Sequence, residues 1–111
     1  MRDQKLYLTD VLAAIESIER FIEGMSFEDF QQDDKTASAV IRKFEIIGEA
    51  SRNISDNIKQ RHPEVPWREM AGMRDRLIHG YFGVDYNLVW STIKNRLPIA
   101  RQMIQKISME I

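Results

Sequence analysis

The sequence predicts an all-α protein, an up-and-down four-helix bundle with an additional short helix, in a single domain over residues 1–111. Three observations predict it. Apolar residues recur at three- and four-residue spacing in every long segment, and nowhere alternate as a half-buried strand requires. Prolines in "RHPEVPW" and glycines near "FIEGM" and "HGYFG" cut the chain into four long stretches. At 43% hydrophobic and 30% charged residues, the composition is that of an ordinary globular domain with a core of its own.

The first helix is expected over residues 5–23. Leu8, Leu12, Ile15, Ile18 and Ile22 form one stripe, with Val11 and Ala14 beside it and the glutamates largely outside. Gly24 ends it. Ser26 can cap a short turn that points Phe27 and Phe30 inward. The second long helix is expected from about Asp34 to Ile58, on Val40, Phe44, Ile47, Ile54 and Ile58, with Ser51 in the one polar slot. Gly48 costs that helix about 1 kcal/mol relative to alanine, so it is read as a place where another helix comes close.

Pro63 and Pro66 stiffen the next connection, and Pro66 suits the start of a third helix carrying Met70, Met73 and Leu77. That helix should stop around His79, because Gly80 fits the residue after a helix end. Asp85 can cap the last helix, where Tyr86, Trp90, Ile93, Leu97, Ala100, Ile104 and Ile107 keep the rhythm and Pro98 should kink it.

Composition excludes several functions. There is no cysteine, hence no disulfide scaffold, thiol nucleophile or cysteine-based zinc site. The two histidines, His62 and His79, are too far apart to suggest a metal site, so no metal and no cofactor are expected. "MRDQKLYLTD" has no apolar leader and no apolar run is long enough to span a membrane, which points to a cytoplasmic protein. The net charge of −1 divides into −6 over residues 1–34 (3 basic, 9 acidic) and +5 over residues 35–111 (13 basic, 8 acidic). The chain is no generic polyanion binder, yet a local basic surface is open to it.

The stretch "MRDRLIHGY", Met73–Tyr81, concentrates the polar chemistry. Asp75 and His79 are four apart and share a helical face, so the carboxylate could orient the imidazole. Arg74 and His79 are offset by about 140° on a regular helix and meet only if the chain turns at Gly80. A plain structural reading also stands, since basic groups are favoured in the last turn of a helix. The chemical reading is RNA cleavage without a metal. The 2′-hydroxyl attacks the adjacent phosphorus, histidine moves a proton, and the arginine fork binds the phosphate and its developing charge. One such set supplies half of an acid–base pair; a symmetric dimer supplies both halves.

Arginine, four residues, histidine, one residue, tyrosine resembles the signature of HEPN-domain ribonucleases in the form seen in HepT toxins. "IGEAS" and "PEVPWREMAGMRDRLIHGYFGVDYNLVW" extend the likeness, strongest over residues 41–98. The resemblance implies a HEPN-like helical homodimer with its cleft at the dimer interface. It implies the toxin of a type VII toxin–antitoxin pair, a metal-independent RNA endonuclease. The implied partner is an MNT-type nucleotidyltransferase antitoxin that transfers AMP to the signature tyrosine. Carried over, Arg74 and His79 are catalytic, Asp75 orients, Tyr81 is the AMPylation site, and Arg76 is a candidate RNA contact from the rim. AMP on Tyr81 would put bulk and negative charge beside Arg74 and His79.

The alternative is a non-catalytic helical nucleotide- or RNA-binding partner subunit of a nucleotidyltransferase, in which the same residues hold a phosphate. Elsewhere, His62 is expected to be exposed in its loop. Glu45, Glu49 and Arg52 are expected to form surface pairs, with Glu49 able to face the cleft instead. Trp67 and Trp90 are expected in the core or an interface.

Overall fold

The computed structural model describes residues 3–78 and 83–111. In chain order the helices are α1 (Gln4–Phe21), α2 (Phe27–Gln31), α3 (Asp34–Arg52), α4 (Asp56–Arg61), α5 (Trp67–Leu77), α6 (Tyr86–Ser91) and α7 (Leu97–Glu110). A π-helical stretch, Thr92–Arg96, joins α6 to α7. The result is the expected helical bundle. Helix α3 packs between α1 and α5, α1 packs also on α7, and α2 bridges α3 and α6. None of the described helices is long and apolar enough to cross a membrane.

Local chemistry starts these helices where it does. The Asp3 carboxylate accepts from Lys5 N at 3.0 Å to open α1. Ser26 and Asp29 exchange hydrogen bonds across the first turn of α2, each 3.1 Å long, a reciprocal box that satisfies two otherwise orphaned N–H groups. Asp33 opens α3, accepting from Thr36 N at 2.9 Å and from Thr36 Oγ1 at 2.7 Å. These bonds to the charged form hold its carboxyl below the ordinary 3.8. Asp85 accepts from Leu88 N at 3.0 Å and opens α6 as expected.

One core joins all four long rods. Leu8, Ile15 and Ile18 of α1, Phe44 and Ile47 of α3, Met70 and Leu77 of α5, and Ile104 and Ile107 of α7 are essentially fully buried in it. Each side chain of this size contributes about 1.5–3 kcal/mol through removal from water. Phe30 of α2 is buried against Tyr86 and Trp90, with ring centroids 5.6 and 5.3 Å away. Trp67 is buried and its indole donates to the His62 carbonyl at 3.0 Å.

The second long helix is shorter than the apolar spacing suggests. It ends at Arg52, and Ile54 and Ile58 belong to the turn and to α4. The Asn53 side chain donates to the Glu49 carbonyl at 2.9 Å, closing α3. Ser55 caps α4 through Ile58 N, while its own N–H donates to Gln4 Oε1 at 2.6 Å. Side-chain capping on both sides outcompetes continuation of the helix. Pro98 also acts differently from a simple kink. The preceding stretch widens so that Leu97 N–H donates to the Thr92 carbonyl, five residues back. The wider turn moves the carbonyl that the proline ring would otherwise strike.

Candidate functional site

Arg74, Asp75 and Arg76 are exposed near the end of α5, and the two arginines face two ways. Arg74 turns towards α3, where its Nε lies 3.8 Å from Glu45 Oε2 and its Nη1 3.4 Å from Asp75 Oδ1. Arg76, two residues on, turns towards the π-helical stretch. Its Nη1 is 3.7 Å from Glu69 Oε1, an oxygen that also accepts from Arg96. Two guanidinium groups thus share one carboxylate on the flank away from Arg74.

Helix α5 ends at Leu77, earlier than the expected end at His79. Ile78 is extended (φ −121°, ψ 127°) and pairs in an isolated antiparallel bridge with Val84. The Asp85 N–H donates to the Leu77 carbonyl at 2.9 Å. A β-branched residue paired across to valine gives up helix for a bridge at little cost. The expected pairing of Asp75 with His79 on one helical face falls on a residue beyond this end. His79 and Tyr81 lie outside the described residues.

Beside Arg74 runs a groove of about 650 Å³ between α3 and α5, lined by Arg42, Glu45, Glu49, Arg52, Arg74 and Asp75. Its floor is where the two helices come closest. A Cβ on Gly48 would stand 3.0 Å from the Ala71 carbonyl oxygen, so glycine is what permits this approach. Arg52 locks it, donating from Nη2 to the same carbonyl at 2.7 Å. Arg52 also meets Glu49 at 3.5 Å, the surface pair expected from spacing, and Glu49 lines the groove as well. Glu45 does not join that pair; it reaches across to Arg74, a partner 29 positions away that no helical spacing reveals.

His62 is placed elsewhere and is not the exposed loop residue expected. It is half-buried between Glu64 (3.4 Å) and Glu110 (3.5 Å). Among the described residues, no cluster of histidine and carboxylate side chains is arranged to hold a metal ion.

Comparison with known proteins adds a second line of observation. The family model described as Ribonuclease HepT-like matches residues 11–107. A protein of Thermococcus cleftensis named "Probable ribonuclease HepT" is 54% identical over 106 residues, covering 96% of each chain. One of Caldanaerobacter subterraneus subsp. tengcongensis, named "Putative RNase", is 41% identical, again covering 96% of each. Another of that name from Methanocaldococcus jannaschii is 42% identical over 110 residues, 99% of this chain and 91% of its own. No solved structure matches the chain.

Proposed function

Because this chain belongs to the ribonuclease HepT-like family, we propose that it is an endoribonuclease that cleaves RNA by 2′-hydroxyl attack and needs no metal. The observation that carries the reading is Arg74. An exposed guanidinium stands at the mouth of a groove, with His79 five residues on and Tyr81 two beyond that. In this mechanism Arg74 binds the scissile phosphate and the charge that grows on it. His79 moves the proton, within the range where imidazole works as acid or base. Asp75 is an orienting residue, and Arg76 contacts the RNA backbone from the opposite flank.

One His79 serves one side of the reaction, so the working enzyme is a homodimer with a composite cleft. In the cell it is the toxin of a toxin–antitoxin pair. An MNT-type nucleotidyltransferase silences it by placing AMP on Tyr81, whose negative charge then occupies the phosphate's place.

The test is cleavage of RNA in excess EDTA by unmodified wild type and by His79→Ala. Cleavage by wild type alone, leaving 2′,3′-cyclic phosphate ends, is the expected result. Inactivity of both, on protein whose mass excludes AMP, overturns the reading.

A further inference from the structure

We propose that the groove between α3 and α5 is a base-reading subsite. It takes one nucleotide of single-stranded RNA and favours a base that carries an exocyclic amino group. The inference rests on the ribonuclease reading and adds to it which RNA is held, and by what.

The groove has a direction. Glu45 meets Arg74, while Arg52, farther along α3, reaches back to Ala71 on α5. The two helices therefore run past each other in opposite senses, and the lining sorts into two ends. Arg42, Glu45, Arg74 and Asp75 lie at one end, Glu49 and Arg52 at the other, with the contact of Gly48 and Ala71 between them. Glu45 and Glu49 are one helical turn apart on the same face, about 6 Å along the axis. The volume of 650 Å³ falls within the range of small-molecule sites.

The surfaces suit the two halves of such a ligand. Gly48 and Ala71 leave a low floor, bounded by Ile46 and by the Arg52 guanidinium held on the Ala71 carbonyl, against whose plane a flat ring can lie. The phosphate end carries two guanidinium groups, those of Arg42 and Arg74, with the Glu45 and Asp75 carboxylates paired to Arg74 beside them. At the base end, Glu49 is 73% exposed; its Oε2 accepts a long 3.5 Å bond from Arg52 Nη1, and the carboxylate's remaining lone pairs can still accept. Arg52 cannot swing in to smother them, because its other nitrogen is held at 2.7 Å by the Ala71 carbonyl. A carboxylate only accepts. It welcomes the amino groups of adenine, cytosine and guanine. Uracil offers it one N–H flanked by two carbonyl oxygens, which repel it. The lining holds three arginines and three carboxylates, so the groove has no net charge to act as a mere phosphate trap.

The experiment measures anisotropy of labelled A, C and U RNA decamers bound to the full-length His79→Ala protein, at one fixed salt concentration. The A and C decamers are expected to bind on the order of tenfold more tightly than U. Adding Glu49→Gln is expected to bring the three towards parity, because an amide can donate to uracil's carbonyls. Reading the change in the ratio cancels the properties of the oligomers themselves. Glu49 is exposed, so its variant folds. Equal binding of all three, or a preference that Glu49→Gln leaves intact, overturns the base-reading proposal and leaves the ribonuclease reading standing. Binding of none, with no cleavage by wild type, overturns both.

Discussion

Gly48 on α3 and Ala71 on α5 touch through the backbone: a Cβ on Gly48 would lie 3.0 Å from the Ala71 carbonyl oxygen and 3.6 Å from that of Met70. This contact sets the distance between the helix that carries Glu45 and the helix that carries Arg74.

Gly48→Ala should therefore destabilise the protein, although alanine is the better helix former by about 1 kcal/mol. The atoms it meets are backbone and cannot rotate away, and overpacking of this kind costs about 1–3 kcal/mol. A net loss of about 1 kcal/mol is expected, read as a fall of several degrees in the melting temperature. RNA cleavage should fall with it at temperatures where the variant is still folded, because Arg74 is pushed away from Glu45. An unchanged melting temperature would mean that α5 slides freely on α3.

Arg74→Ala should separate function from stability. The ion pair with Glu45 is about half exposed on both sides and contributes less than about 1 kcal/mol to folding. Loss of a donor to developing charge costs about 10²–10³ in kcat. Single-turnover RNA cleavage should fall by that order while the thermal melt stays within a degree or two. Arg74→Lys should remain well below wild type, because a point charge does not replace a two-nitrogen fork. Full activity in the lysine variant would reduce the role of Arg74 to simple charge.

Asp33 yields a pH prediction. Its carboxyl is held below 3.8 by the Thr36 backbone and side-chain hydrogen bonds. The folded state therefore binds this proton less readily than the unfolded state. The stabilisation is complete above pH 3.8 and is lost as pH falls through the folded value. Asp33→Asn keeps an acceptor for the cap but removes the titration. Urea melts between pH 6 and pH 2.5 should show a shallower acid loss in the variant than in wild type. Identical profiles would place the acid sensitivity elsewhere.

Ser51 is fully buried on α3, and its hydroxyl has no hydrogen-bond partner among the described residues. Leaving such a group dry costs about 1–3 kcal/mol. Ser51→Ala should therefore raise stability by about 1 kcal/mol, visible as a higher denaturant midpoint with an unchanged slope. A lower midpoint would mean that the hydroxyl is satisfied in solution.

Much of the bundle could be read from spacing, because each helix buries a stripe that repeats with the helical period. Gly48 was legible for the same reason: a costly residue inside a strong pattern asks for a close neighbour. The break at Arg52 was not, since Ile54 and Ile58 stay in phase with the stripe while Asn53 and Ser55 cap against it. The bridge of Ile78 to Val84 depends on a pairing across the chain that periodicity cannot register. The reach of Glu45 to Arg74 is a tertiary relation between two exposed residues, and His62 is turned inward by a glutamate near the far end of the chain. Local pattern carries the elements; the facing of polar groups is decided by how the elements dock.

The π-helical stretch has a consequence for chain length. An α-helix turns about 100° per residue. One additional residue between Ser91 and Leu97 therefore acts as a phase shifter, letting α6 address α2 while α7 addresses α1. Removing one residue from Thr92–Arg96 would bring a carbonyl back against the Pro98 ring, and Ala100, Ile104 and Ile107 would be rotated by about a quarter turn against Tyr86 and Trp90. A surface loop absorbs a deletion by slackening. Here the count of residues is itself a structural constant, as binding on this fold as the identity of any core side chain.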